Sequence, residues 1–119
     1  MYISGFLLAV PTANKEAYRK MASDAGPYFQ SLGAIEIVEA WEEDVKDGKY
    51  TDFRRAVEAK GDESIVFSWV IWPDKATSDA AEKKMMEDDG PQPGEMPFDG
   101  KRMIFGGFSP IYTLGRSDA

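Results

Sequence analysis

The segment Ser64 to Trp72 constrains this chain more than any other. It is rich in β-branched and aromatic residues and ends at Pro73-Asp74, so it reads as a strand. Successive side chains of a strand point to opposite faces. Ile65, Phe67, Trp69 and Ile71 therefore share one face. Val66, Val70 and Trp72 share the other, interrupted by Ser64 and Ser68. A half-covered antiparallel sheet should alternate apolar and polar residues. This strand does not, so both of its faces need cover.

The rest of the chain supplies helices for one face. Tyr2 to Val10 is a first strand that also places apolar residues on both faces, Tyr2, Phe6, Leu8 and Val10 against Ile3 and Leu7. Asn14 can cap a helix, and Tyr18, Met21, Ala22, Ala25, Phe29 and Leu32 recur at helical spacing. Gly26-Pro27 predicts a kink or restart in that helix, and Gly33 a stop. Ala34 to Glu43 is a second strand, with Ile35, Ile37, Glu39 and Trp41 on one face. Phe53 to Ala59 reads as a short extended piece. Asp74 can cap a helix over Ala76 to Asp88, with Ala81 and Met85 inward. Asp89 to Gly100 is a loop rich in proline and glycine, and Met103 to Leu114 is the last strand.

The order β-α-β-β-α-β predicts an α+β fold, a ferredoxin-like sandwich with a four-stranded antiparallel sheet. One domain spans 1–114, and 115–119 is a flexible tail. Two helices cover one face only. Left bare, the other would be a large exposed apolar patch. A two-fold homodimer packed sheet to sheet is the economical cover. The alternative is a monomer whose loops 44–60 and 89–100 fold over that face.

Composition removes several chemistries. There is no His and no Cys, which excludes thiol nucleophiles, Ser-His-Asp triads, imidazole-held zinc or haem, and disulfides. The 14 basic and 21 acidic residues give a net charge of −7. That is unsuited to phosphate-backbone binding, so no nucleic-acid partner is expected. No stretch approaches the roughly 20 apolar residues of a membrane span, and the apolar start lacks a basic region before it. A cytoplasmic protein without a cofactor is expected. Glu36, Glu39, Glu42, Glu43, Asp44 and Asp47 form an acidic cluster, but without calcium-loop spacing, so no metal is expected.

Several residues are candidates for a site. In Met96-Pro97-Phe98-Asp99-Gly100-Lys101-Arg102, Asp99, Lys101 and Arg102 could line a pocket that holds a carboxylate or phosphate. An ordinary Asp-Gly turn before the strand explains the same stretch. Arg54 and Arg55 point to opposite sides of an extended segment, where one could bind an anion or form a structural ion pair. Glu39 shares a face with apolar residues, and burial would raise its pKa towards that of a general base. Trp41 and Trp69 could stack on a planar ligand or fill a core or dimer interface.

Three stretches carry a resemblance: Tyr-Ile-Ser-Gly-Phe-Leu-Leu-Ala-Val-Pro from Tyr2, Asp-Phe-Arg-Arg-Ala-Val-Glu-Ala-Lys from Asp52, and Met-Pro-Phe-Asp-Gly-Lys-Arg-Met-Ile-Phe-Gly-Gly-Phe from Met96. They resemble the YbaA-like family, small bacterial proteins that form a domain of unknown function. The resemblance runs from Tyr2 to about Leu114. It implies a dimeric α+β barrel, in which two ferredoxin-like subunits pack sheet to sheet. It brings no established reaction and no catalytic residue. The wider superfamily includes monooxygenases, haem enzymes, isomerases and ligand-sensing domains, and fold does not fix function.

Two functional classes remain open. One is a cofactor-independent enzyme, monooxygenase- or isomerase-like, on an aromatic or carbonyl-bearing metabolite. Arg54 or Arg55 would hold an anionic oxygen, Glu39 or Asp99 would move a proton, and Trp41 or Trp69 would stack. The other is a non-catalytic binding or accessory dimer. Either could bind a small anionic or aromatic molecule between sheet and helices.

Overall fold

The computed structural model describes residues 1–88 and 96–115. Strand β1 (Tyr2–Pro11) leads into helix α1 (Lys15–Ser31) and strand β2 (Glu36–Trp41). A short helix α2 (Phe53–Ala56) precedes strand β3 (Glu63–Trp72), helix α3 (Lys75–Glu87) and strand β4 (Ile104–Phe108). Single 3-10 turns occupy Thr12–Asn14 and Gly100–Arg102. The four strands form one antiparallel sheet in the order β2-β3-β1-β4, so the class is α+β.

Local chemistry explains the element ends. Gly33 ends the turn after α1 at φ 110°, where a Cβ would also lie 2.6 Å from the Thr77 methyl group. Asp74 caps α3 by accepting from the Thr77 backbone N–H and hydroxyl, both at 2.7 Å. Asn14 precedes α1 without a side-chain cap. Its amide instead donates to the Pro97 carbonyl at 2.9 Å, tying the helix start to the segment before β4.

Two expectations are corrected, and the choice between a kink and a restart at Gly26-Pro27 is narrowed. Helix α1 runs through Pro27 without a restart. Gly26 precedes the proline and has no Cβ to clash with its ring. The segment after Asp52 is helical rather than extended. Asp52 accepts from the Arg55 and Gly48 N–H groups at 2.8 and 3.1 Å, a cap that outweighs the local apolar residues. Strand β4 stops at Phe108, opposite Ile3. Its partner β1 starts at Tyr2, so the chain runs out of strand to pair with, and Pro110 lacks an N–H to continue.

The β1–β3 register sorts the sheet into two faces. Leu8, Val10, Val66, Val70 and Trp72 face the helices, where Tyr18 of α1 and Ala81 of α3 are buried against them. The outer face has three cross-strand rows: Ala40-Phe67-Leu7-Ile104, Val38-Trp69-Gly5-Gly106 and Glu36-Ile71-Ile3-Phe108. Val57, just after α2, covers one end of it by packing on Ala9 and Ile65. Phe53 meets Phe67 edge-on at 6.1 Å. The rest stays open, with Phe67, Ile104 and Phe108 at 48%, 47% and 61% exposure. The loop spanning 44–60 thus covers a corner of this face, and most of the 89–100 segment lies outside the described residues.

Leu8 is 1% exposed at the centre of the helix-side core. Leu8→Ala should cost about 3 kcal/mol in denaturant unfolding. A loss below about 1 kcal/mol would mean that this face is not packed as described.

Candidate functional site

A cleft of about 360 Å³ opens between α1 and β2. On the strand side stand Ile37, Glu39 and Trp41, which alternate with outward-facing Val38 and Ala40. On the helix side, Lys15, Arg19, Ala22, Ser23 and Gly26 follow one helical stripe. The last three are short, so helix and strand part there. Long cationic side chains flank the gap at one end only.

One hydrogen bond crosses the cleft. Tyr18 donates its hydroxyl to the Glu39 carboxylate at 2.6 Å. Burial pushes the Tyr18 phenol well above its ordinary range, and the carboxylate that accepts its proton adds to the rise. Tyr18 is therefore a neutral donor at any physiological pH. Lys15 Nζ sits 5.6 Å from the centre of the Trp41 ring, a cation–π contact. Arg19 pairs with Glu16 at 3.3 Å with both side chains exposed, so the guanidinium is easily redirected. The cleft thus offers an indole wall, an apolar floor at Val66, two cations and a phenol–carboxylate pair.

Of the residues singled out from sequence, Glu39 and Trp41 meet in this cleft. Glu39 is exposed rather than buried among the apolar residues of its face. Arg54, Asp99 and Arg102 come together elsewhere, around Glu63 at the start of β3. Arg102 clasps the Glu63 carboxylate with two bonds of 2.7 and 2.6 Å. It also donates to Asp99 at 3.0 Å and to the Glu58 carbonyl at 2.8 Å, so every guanidinium nitrogen is engaged. Glu58 is held at φ 50°, a left-handed conformation that costs a side-chain-bearing residue about 1 kcal/mol. Arg54 binds Glu42 at 3.2 Å and the carbonyls of Lys60 and Glu63 at 2.7 and 3.0 Å. Arg55 pairs with Asp52 at 3.5 Å, and Lys101 is exposed. Trp69 lies on the outer sheet face, its indole N–H donating to Glu36 at 3.4 Å.

A model of a protein family of unknown function, DUF1428, matches residues 1–100. The chain is 55% identical over 112 residues to the uncharacterised protein YbaA of Escherichia coli K12, covering 92% of this chain and 96% of that one. The YbaA of Shigella flexneri matches to the same extent. The chain belongs to the DUF1428 family. Its bacterial relatives carry no assigned activity, so the chemistry of this DUF1428 protein must be read from its own side chains.

The sequence pattern of this DUF1428 chain held a signal for the cleft that core reading passes over. Tyr18, Met21 and Phe29 mark the buried face of α1, and attention to them hides the neighbouring stripe. Two cations followed at helical spacing by Ala, Ser and Gly leave room beside a strand. Glu63, the hub of the arginine network, carries no local signal at all. Among the described residues, no group of three or more His, Cys, Asp or Glu side chains could hold a metal ion. No helix among them is long and apolar enough to cross a membrane.

The Glu63–Arg102 pair sets an acid limit on stability. Arg102 hydrogen bonds, aided by the Lys60 N–H, hold the Glu63 carboxyl at about 2 against an ordinary 4.5, despite its burial. The folded pKa lies below the unfolded one. The pair's contribution is therefore complete above about pH 4.5 and is lost as pH falls towards about 2. Arg102→Ala should cost about 3 kcal/mol at neutral pH and flatten the acid limb of a urea-midpoint profile. An acid limb unchanged by the substitution would remove Glu63 as its source.

Proposed function

We propose that the protein is a homodimer of ferredoxin-like subunits that binds a small, planar, anionic metabolite in the cleft between α1 and β2. The observation that carries the reading is the Lys15 ammonium over the Trp41 ring, in a cleft that Arg19 also lines and that has an apolar floor. An aromatic carboxylate satisfies all of these at once. Its ring stacks on the indole and its carboxylate draws Lys15 and Arg19. The Tyr18–Glu39 pair offers a further polar partner at the cleft wall.

The strand order β2-β3-β1-β4, with helices α1 and α3 on one face, supports the ferredoxin-like part of this reading. The dimer reading rests on the uncovered outer face and on what adjoins it. From Met103 to Leu114 there is no charged residue, although 29% of the chain is charged. This run forms the edge strand β4 and then carries Ile111, Tyr112 and Leu114 at 100%, 78% and 85% exposure. An uncharged apolar edge beside an open apolar face is a hazard for a free monomer. Pairing two outer faces as a dimeric α+β barrel covers it. The reading takes 1–114 as one domain and places the dimer in the cytoplasm, as a chain without cysteine permits.

A second reading follows from the 2.6 Å Tyr18–Glu39 bond. A phenol and carboxylate in contact can relay a proton, as an isomerase-like enzyme needs. Turnover of a keto acid that disappears in Glu39→Gln while binding persists would favour this reading.

Titration with 2-hydroxybenzoate should shift the Trp41 indole N–H resonance saturably. The double variant Lys15→Ala, Arg19→Ala should bind about tenfold more weakly. An affinity that the double variant leaves unchanged would refute the site. Sedimentation should show a dimer for the native chain and a folded monomer for Phe67→Asp, Phe108→Asp. A native monomer at micromolar concentration would refute the dimer.

A further inference from the structure

A second cavity, of about 290 Å³, lies under α3 near the β4 edge. It is separate from the α1–β2 cleft and differs from it in charge. Its floor is the helix-side row of β1, with Tyr2, Ser4 and Phe6, extended across the register to Phe105 and Gly107 of β4. Phe29 of α1 and Trp72 of β3 add two more rings. Phe6 and Phe105 stack with centroids 6.2 Å apart. The roof is one stripe of α3, Ser78, Asp79, Glu82 and Met85.

Among the described residues, the only charged ones that line it are the carboxylates Asp79 and Glu82. Asp79 is tied to Lys75 at 2.8 Å, and the same ammonium also attracts Glu82, so one cation faces two carboxylates at the mouth. Ser4 accepts the Trp72 indole N–H at 3.1 Å, and its own hydroxyl proton remains to be donated. Gly107 makes the wall possible. A Cβ there would fall 1.7 Å from the Tyr2 hydroxyl oxygen, so any larger residue would displace the Tyr2 ring. This gives the Gly106-Gly107 pair a role in shaping a cavity.

We propose that this second cavity binds an organic cation, an amine or quaternary ammonium carrying an apolar group. Five aromatic side chains line this one space, and the negative faces of such rings attract a cation. Carboxylates at the mouth add charge attraction and repel anions. The volume suits a ligand of one ring and a short substituent. The two cavities would then select ligands of opposite charge.

The tryptophans make the test specific, because Trp41 lines the first cleft, Trp69 the outer face and Trp72 this cavity. Isotope-labelled protein is titrated with phenyltrimethylammonium, with benzyl alcohol as the uncharged control. The indole resonances are assigned with Trp41→Phe and Trp69→Phe. The expected result is a saturable shift of the Trp72 indole N–H by the cation, with Trp41 unmoved. Glu82→Gln and Phe105→Ala, both at exposed positions, should each weaken binding about threefold to tenfold. A Trp72 response equal for benzyl alcohol and for the cation, or unchanged by Glu82→Gln, would overturn the proposal. So would a cation response at Trp41 alone. None of these outcomes bears on 2-hydroxybenzoate binding, so the two sites stand or fall separately.

Discussion

The ten-residue antiparallel register of β1 against β3 is the constraint on which the rest depends. These are the two central strands, and β2 and β4 each pair with only one of them. A slip by one residue would exchange every side chain between faces. Hydrophobicity alone resists such a slip weakly here, because both faces of both strands are apolar. Other features fix it. Gly5 lies opposite Trp69, which gives the indole room on the outer face. Trp72 reaches diagonally to donate to Ser4 on the inner face. At the far end, Glu63 stands opposite Pro11 and is clasped by Arg102. A slipped register would bury Ser4 and Ser68 among the outer aromatics and leave Glu63 without its cation.

The arginine network has a reason of its own. Glu63 opens β3 with a side chain only 4% exposed, and a buried carboxylate needs a complete set of donors. Arg102 supplies two, and the Lys60 N–H supplies a third at 2.7 Å. Arg54 takes the Glu63 carbonyl from the other side. The segment from α2 to β3 and the turn before β4 are thereby locked to one point. Arg54, Asp99 and Arg102, which sequence alone offers as site residues, spend their hydrogen bonds in this lock.

The sheet was legible from sequence because strand pattern and turn residues are local signals. Ser64 to Trp72, Pro73-Asp74 and the helical periodicity from Tyr18 to Leu32 each mark an element without reference to anything distant. The α2 helix was not legible. Four residues offer too few turns for periodicity, and only the Asp52 cap betrays them. The candidate site was half legible. Glu39 and Trp41 stand two apart on one strand, so their shared face follows from the pleat. Their neighbours Lys15 and Tyr18 come from a different element, and no spacing in the chain announces that pairing. The partner of Arg102, 39 residues away, is hidden for the same reason.

Charge distribution gives the fold a consistent functional logic. The net charge of −7 would repel an anion approaching at random. An anion site on such a molecule needs a local reversal of field, and Lys15 and Arg19 supply one on adjacent turns of α1. The cavity under α3 needs no reversal, since the general field already draws cations and Glu82 only concentrates it. Salt should therefore affect the two sites through different causes. Screening removes a local attraction at the first and a molecule-wide one at the second. The sheet keeps its charges off the outer face almost entirely, with Glu36 at its rim bonded to the Trp69 indole. Electrostatics is thus left to the helix side, and hydrophobic contact to the outer face.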